Sequence, residues 1–423
     1  MIVLILLETI KKNDNKLYEY KFLSKQVLNR KKEYNLKFLF IIVLLYLSIN
    51  INVNIFFDNK IIVYQKDINK IKEYQLKDVF SSINSIIENK SILIFEPNPF
   101  HYECTPGYAK YFIDLGFNVD VLMNKIGKDA FYLFKDIEKI RIFIYDNIKQ
   151  INYFAKFLIK FMDNYSLILV QTCYLYNIHI LSKLGLLRNN KTIYVLHNTK
   201  YYTSLNFKNL TNQNRIWTLG HFSVGLQVNP HYFGNIKLRD KNKKTRFFIV
   251  STNKRHYNYI ISAAEKIKNE NLEFEFCVTG YVEKFCIDDL NEKIKDNFLF
   301  NYNVNFSILY ELVESSDYII INLDPDTDKS FINKKVTGAI QLSYGFYKPV
   351  LINKYFKDAY NMTKENSFIF EKGNFYNVMK NAILLNNDDY KMMQRKLINL
   401  TKMIYYYSIS NVKKTLNSLF IKY

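Results

Sequence analysis

From residue 91 onward the chain alternates between short apolar runs and stretches with apolar residues at helical spacing. Ser91-Ile92-Leu93-Ile94-Phe95 is the first run, rich in β-formers, the pattern of a strand buried on both faces. A loop holding three of the chain's six prolines, Pro97, Pro99 and Pro106, comes next. Gly107 to Leu115 then carries Tyr108, Tyr111, Phe112 and Leu115 on one helical side, and Gly116 supplies the stop. Phe117 to Met123 is a second apolar run, which completes a βαβ unit. The same reading predicts strands at 91–95, 118–123, 140–145, 166–171 and 192–196. It predicts helices near 106–116, 128–136, 147–162 and 176–185. Such alternation implies an α/β chain with a parallel, doubly wound sheet.

WTLGHFSVGLQVNPHYFG, residues 217–234, breaks the alternation with three glycines and a proline, and the lysine-rich stretch 237–244 reads as a linker. A second series opens at Arg246. Strands are predicted at Phe247–Ser251, Glu273–Val278, Leu299–Tyr302, Asp317–Leu323 and Val350–Ile352. Helices are predicted at Tyr259–Lys268, at Phe306–Ser315 and at Phe331–Tyr344 with an interruption near Thr337-Gly338. Two more, Asp388–Met403 and Ser410–Phe420, close the chain. The expected organisation is a segment 1–90, a Rossmann-like domain 91–236, a second Rossmann-like domain 245–405, and a terminal helix 406–423 that returns to the first domain.

The first 90 residues differ. Residues 11–37 carry nine lysines and arginines, and Phe38 to Ile49 is apolar all round. A helix of that length spans about 18 Å, short of the roughly 30 Å hydrocarbon core. Ile49, Ile51, Val53 and Ile55 then alternate with asparagines, and Ile61 to Tyr64 could return as the second arm of a hairpin. A basic helix-and-hairpin appendage seated on an anionic membrane surface is the expectation. A core-packed helix and a membrane span extending through the asparagines are the alternatives.

Composition narrows the function classes. With 49% apolar residues in 423, the chain can bury two sizeable cores and is not a disordered protein. The formal charge of +20 comes from lysines spread along the chain without a nucleic-acid motif, so no nucleic-acid partner is expected. The four cysteines, Cys104, Cys173, Cys277 and Cys286, show neither CxxC nor zinc spacing and read as reduced, buried thiols.

Ligands on doubly wound sheets bind at the carboxyl ends of the strands. The loop after the first strand carries His101 and Glu103, with Pro106 and Gly107 at the helix start. His197-Asn198 follows the strand at 192–196. In the second series Thr252-Asn253-Lys254-Arg255 follows the first strand and Gly280 the second, while Lys335-Val336-Thr337-Gly338 opens a helix. Cations, a hydroxyl and a glycine at a helix N-terminus suit phosphate. Asp324-Pro325-Asp326-Thr327-Asp328 contains D-x-D, but with Pro325 it reads as a turn, and no metal site is expected.

Two successive doubly wound domains resemble the GT-B fold nucleotide-sugar glycosyltransferases, in particular the retaining group of bacterial surface-polysaccharide enzymes. The motifs that carry the likeness are FEPNPFHYECTPGYAKYFIDLGFNVDVL, TRFFIVSTNKRHYNYIISAAEKIKN, LYELVESSDYIIIN and VTGAIQLSYGFYKPVLI, spread over residues 91–405. Where retaining members place a glutamate before G-x-P, this chain has Ile340 and Gln341. The resemblance implies transfer of a sugar from a nucleotide diphosphate donor to a glycan or lipid-linked acceptor, without a cofactor. It places the enzyme in the cytoplasm, peripheral on the inner face of the plasma membrane. Glu103, His197 and His101 would then do the acceptor-side chemistry, with Glu103 as base for an inverting reaction, beside Pro106, Gly107 and Asn198. Thr252, Asn253, Lys254, Arg255, Gly280, Lys335, Thr337 and Gly338 would hold the donor diphosphate. A nucleotide-sugar epimerase on the same fold and a non-catalytic glycan-binding scaffold are the alternatives.

Overall fold

A computed structural model describes residues 62–65, 90–124, 130–138, 140–145, 151, 155–174, 177–202, 214–251, 257–280, 290–371, 373–419 and 421. The basic segment 11–37, the apolar run 38–49 and the proposed hairpin arm 49–55 lie outside them. Among the described residues no helix is long and apolar enough to cross a membrane.

The apolar runs pair into two sheets. The first contains β1 (Ile62–Gln65), β2 (Ser91–Glu96), β3 (Asn118–Asn124), β4 (Ile140–Tyr145), β5 (Leu167–Val170), β6 (Thr192–Leu196), β7 (Ile216–Thr218) and β8 (Leu226–Gln227). Their order is β1-β4-β3-β2-β5-β6-β7-β8. All neighbours from β4 to β8 run parallel, and β1 is antiparallel at the edge, with Ile62 opposite Ile144. The expected return arm at Ile61 to Tyr64 falls on the strand β1, which among the described residues pairs with β4.

The second sheet holds β9 (Thr245–Ser251), β10 (Phe274–Gly280), β11 (Phe298–Tyr302), β12 (Tyr318–Ile321), β13 (Val350–Asn353) and β14 (Ser367–Phe370). Its order is β11-β10-β9-β12-β13-β14, all parallel. Read from its own first strand that is 3-2-1-4-5-6, the doubly wound Rossmann order.

Helices cover these sheets: α1 (Thr105–Asp114), α2 (Ala155–Asp163), α3 (Ile178–Lys183), α4 (Asn258–Asn269), α5 (Glu292–Lys295), α6 (Phe306–Ser315), α7 (Ser330–Asn333), α8 (Gly338–Phe346), α9 (Phe375–Leu384) and α10 (Asn387–Ser418). Three expectations change. Of the stretch near 128–136, the described residues make a 3₁₀ segment over Ala130–Phe134. The interrupted helix at 331–344 is two helices, α7 and α8, with Lys334 to Thr337 extended or turning between them. The two closing helices are one, α10, of 32 residues.

Continuity of α10 has a physical reason. No glycine or proline interrupts it, and its buried face runs Tyr390, Met393, Leu397, Thr401, Ile404, Ser408, Val412, Thr415 at spacings of three or four. Its start packs on the second sheet, where Tyr390 donates to the Asp317 carbonyl at 3.0 Å. Its end packs on the first, where Trp217 Nε1 donates to Thr415 Oγ1 at 2.9 Å and Asn411 Nδ2 to the Gln227 carbonyl at 2.8 Å.

One apolar core is shared by the facing lobes. Phe233, after β8, lies 5.4 Å from Tyr310 of α6 and 5.5 Å from Phe346 of α8, and Tyr102 lies 6.3 Å from Phe306. Gly345 permits this approach: a Cβ there would sit 2.0 Å from Phe233 Cδ2. Full burial of each such aromatic contributes about 1.5–3 kcal/mol, so the lobes are held by packing rather than by the linker alone.

Candidate functional site

β2 ends in a carboxylate. Ile92 to Phe95 are wholly buried, and Glu96 follows them with no exposure at all. Its Oε1 accepts from the Asn98 backbone N–H at 2.8 Å and from Asn98 Nδ2 at 2.9 Å, and its Oε2 accepts from Thr172 Oγ1 at 2.5 Å. Asn98 is itself held by Asn177 Nδ2 at 2.8 Å. Burial raises the Glu96 carboxyl to about 7, and the bonds from Thr172 and Asn98 offset only part of that rise. Sequence reading passed over Glu96; a lone acid closing an otherwise apolar buried run was the available signal.

The loop beyond Glu96 turns at His101, which has a left-handed backbone, φ 71° and ψ 17°. A non-glycine residue there costs of order 1–3 kcal/mol and persists only when its surroundings impose it. Gln171 Nε2 donates to the His101 carbonyl at 2.6 Å, and the Cys104 N–H at 3.1 Å. The ring is held at both nitrogens, with Nδ1 3.4 Å from Glu103 Oε1 and Nε2 3.1 Å from the Tyr174 hydroxyl. Burial would lower the His101 pKa, but the Glu103 bond and the Glu103 and Glu96 charges outweigh it, and the net shift is upward.

His197 extends β6 and places its ring on His101, centroids 4.3 Å apart. Its Nε2 lies 3.1 Å from the Gln171 carbonyl and 3.4 Å from Thr172 Oγ1. Burial, and then the neighbouring His101 charge, hold its pKa well below the ordinary histidine value. His197 is therefore a neutral imidazole at pH 7, and with Nε2 facing a carbonyl it carries its proton there, leaving Nδ1 as an acceptor. The three acceptor-side residues named from sequence thus lie together around strand ends β2, β5 and β6. Phe100, 45% exposed and 5.6 Å from the His101 ring, adds an open aromatic face beside them.

Pro106 and Gly107 have a different place. Both are buried in the first turn of α1, and a Cβ on Gly107 would meet the Pro230 backbone at 2.6 Å. Close packing of α1 on the 217–234 segment accounts for Gly107. Asn198 is half-buried and caps the short 3₁₀ turn Thr199–Tyr201, its side chain accepting from the Lys200 N–H at 3.1 Å.

Asn198 also ties the lobes. It forms an isolated antiparallel bridge with Lys335, and the Thr199 N–H donates to the Lys334 carbonyl at 2.8 Å. The segment before α8 is thereby brought to the strand ends that carry His197. Lys335 Nζ lies 3.9 Å from the centre of the Phe331 ring. Thr337 is the N-cap position of α8 with no side-chain capping bond, and Gly338 is exposed with nothing within 4 Å of a Cβ built on it. The first turn of α8 is thus open around Gly338, although its Ile340 N–H donates to the Thr337 carbonyl at 3.2 Å. One turn on, Gln341 is buried and neither amide atom finds a hydrogen-bond partner.

Gly280 ends β10 with φ 108°, opposite Ser251 in register, at the carboxyl edge expected for it. Thr252, Asn253, Lys254 and Arg255 lie outside the described residues. Asp324 spends Oδ1 on the Asp326 and Thr327 N–H groups and Asp328 accepts from the Asp324 N–H, the bonding of a turn. Among the described residues no group of three His, Cys, Asp or Glu side chains could hold a metal ion, and Cys104, Cys173 and Cys277 are buried free thiols.

Two facing, doubly wound parallel sheets with a helix passing from the second lobe back to the first define the GT-B fold, and this chain has it. No family model matches the chain, and no curated protein matches it. Among solved structures, HepE of Anabaena in complex with UDP and glucose is similar over 78% of this chain and 100% of its own length, at 12% identity and a TM-score of 0.51. A glycosyltransferase from Rickettsia africae matches at 13% identity over 78% and 99% of the two chains, TM-score 0.49. The pneumococcal O-GlcNAc transferase GtfA, in complex with UDP and GlcNAc, matches at 8% identity over 79% and 100%, TM-score 0.49. At these identities the likeness is one of fold.

Proposed function

We propose that this chain is a glycosyltransferase that moves a sugar from a nucleotide diphosphate sugar to a glycan or lipid-linked acceptor in surface-polysaccharide synthesis. One observation carries the reading. The Asn198–Lys335 bridge joins the strand end that carries His197 in the first lobe to the segment before α8 in the second. In this reading acid–base groups suited to a sugar hydroxyl and a helix end suited to a leaving diphosphate share one cleft. UDP and glucose in the HepE complex favour a UDP-sugar as donor.

In this reading residues 91–236 hold the acceptor and 245–405 the donor. Should the transfer invert the anomeric centre, Glu103, hydrogen-bonded to His101, takes the acceptor proton; His197 accepts a hydroxyl of acceptor or sugar at Nδ1. Lys335, Thr337, the Gly338 N–H and Gly280, joined by Thr252, Asn253, Lys254 and Arg255, meet the charge that grows on the departing phosphate. The exposed ring of Phe100 offers a stacking face for a sugar. The protein works at the cytoplasmic face of the plasma membrane, held by its basic first 57 residues, since nucleotide sugars are cytosolic.

The test is a panel of UDP-sugars read by thermal shift, followed by nucleotide release with and without glycan acceptors. Donor-induced stabilisation and acceptor-dependent release of UDP are expected. Conversion of the donor to an epimer without UDP release would make the chain an epimerase, and binding without turnover a glycan-binding scaffold. Removing residues 1–57 should abolish sedimentation with anionic vesicles; unchanged, salt-insensitive sedimentation would refute the anchor.

A further inference from the structure

We infer that Glu96 and Thr172 form a buried switch that sets which ring nitrogen of His197 carries the proton, and so whether His197 offers the cleft an acceptor or a donor. The inference deepens the acceptor site proposed above, but it is carried by a separate set of contacts.

Three groups stand in line. Glu96 Oε2 lies 2.5 Å from Thr172 Oγ1, and Thr172 Oγ1 lies 3.4 Å from His197 Nε2. Glu96 Oε1 is fully engaged by the two Asn98 donors, so any proton the carboxyl gains goes to Oε2. With Glu96 ionised, the Thr172 hydroxyl must donate to it. Its lone pairs then face His197 Nε2, which already faces the Gln171 carbonyl at 3.1 Å. Two acceptors fix the proton on Nε2, and Nδ1 is left as an acceptor.

Protonating Glu96 reverses the chain. Oε2–H donates to Thr172 Oγ1, and the freed Thr172 hydroxyl hydrogen turns toward His197 Nε2 and competes with the Gln171 carbonyl. The Nδ1–H tautomer becomes populated, and the ring now offers a donor at Nδ1. Glu96 takes one proton from water, and the imidazole gives its Nε2 proton to solvent while Nδ1 takes one from solvent, so the ring stays neutral in both states. Glu96 titrates in the right range because burial places it at about 7.

Other groups feel the Glu96 charge. These are His101, Tyr102, Cys104 and Tyr108 on the loop and α1, Tyr145 on β4, and Cys173 after β5. Glu103 faces His101 from the same loop. The tyrosines and thiols are pushed upward by burial, and His101 is the charged neighbour that must be controlled for.

The experiment is ¹⁵N NMR of the full chain labelled at histidine, with the His197 ring assigned by His197→Asn. In the parent, the Nε2–H tautomer should dominate above pH 8 and give way to a mixture below pH 6. Glu96→Gln, whose amide mimics the protonated acid, should give the mixture at every pH. Thr172→Val should give Nε2–H at every pH, because only the Gln171 carbonyl remains. His101→Asn should leave the parent's pH dependence in place. The switch is refuted if Glu96→Gln keeps that dependence, or if His101→Asn removes it. Turnover is not read, so failure here leaves the transferase reading standing, and failure of that reading leaves the switch testable.

Discussion

The rings of His101 and His197 lie 4.3 Å apart at 34° to each other, and their surroundings push their proton affinities in opposite directions. Glu103 makes the difference. It bonds only the first ring, so the pair carries at most one positive charge, placed beside a carboxylate. Two imidazoles stacked this closely could not both be charged without a cost of order 1–4 kcal/mol in a partly wet site. Replacing Glu103 by Gln should therefore lower the pH at which His101 titrates, read by NMR. It should also reduce turnover at saturating donor and acceptor by about 10²–10⁴-fold. Unchanged turnover would take Glu103 out of the chemistry.

Gly338 separates packing from binding. Nothing lies within 4 Å of a Cβ built there, and its φ is not in the left-handed region, so Gly338→Val should fold with stability within about 1 kcal/mol of the parent. A valine would nonetheless stand in front of the α8 N–H groups. The expected outcome is an unchanged melting temperature without donor and loss of the donor-induced shift. Lys335→Ala should leave the shift in part and cost about 10²–10³-fold in turnover.

Gln341 carries a cost that a ligand could relieve. Both amide atoms are buried without partners, a penalty of about 1–3 kcal/mol. Gln341→Leu, similar in volume, should raise the melting temperature of the free protein and shrink its shift with donor. A leucine variant both more stable and equally responsive to donor would show that Gln341 does not face the ligand.

Much of this arrangement was legible in the chain. Ile140–Tyr145, Thr192–Leu196 and Phe306–Ser315 match the expected elements residue for residue, because short buried strands and amphipathic helices announce themselves by period. β14 and α9 were missed: Ser-Phe-Ile-Phe is four residues long and sits among turns, so its partner β13 decides it. The break inside α10 was expected between Met403 and Ser410. Ser408 in that stretch is buried and accepts from the Asn229 N–H at 3.1 Å, so it is part of the helix's contact with the first lobe. His101, Glu103 and His197 could be placed by strand ends alone. Glu96 shows in the sequence only as an acid closing an apolar run, and its role rests on Asn98, Thr172 and Asn177, up to 81 residues away in the chain at Asn177.

Glu96 also shapes stability against pH. Its folded pKa is raised from 4.5 to about 7, so between those values the folded chain binds more protons than the unfolded one. Stability from this group is present below 4.5 and is lost as pH rises through 7. Glu96→Gln should therefore gain nothing at pH 4.5 and stabilise increasingly up to pH 7. The plateau beyond is roughly 3 kcal/mol, by 1.36 kcal/mol per unit. Chemical denaturation at pH 5 and pH 8 checks it; an equal effect at both would mean the carboxyl is not buried as charge.

The last prediction isolates the contact between the lobes. Thr199 donates its N–H to the Lys334 carbonyl at 2.8 Å, and it is the first residue of the 3₁₀ turn Thr199–Tyr201. Proline is tolerated at a first helical position, where its N–H has no partner within the turn. Asn198 before it is extended, φ −142° and ψ 114°, the conformation that a following proline demands. Thr199→Pro therefore removes one hydrogen bond between the lobes and little else, a loss of about 0.5–1.5 kcal/mol. If the donor binds the closed arrangement, the closed fraction falls by the corresponding factor and the donor's apparent Kd rises by about 2–12-fold. Thr199→Ala keeps the N–H and should bind as the parent does. Titration calorimetry with the donor chosen by the thermal panel reads both variants. Equal affinity in proline and alanine variants would mean that the Asn198–Lys335 bridge is not part of the donor-binding state.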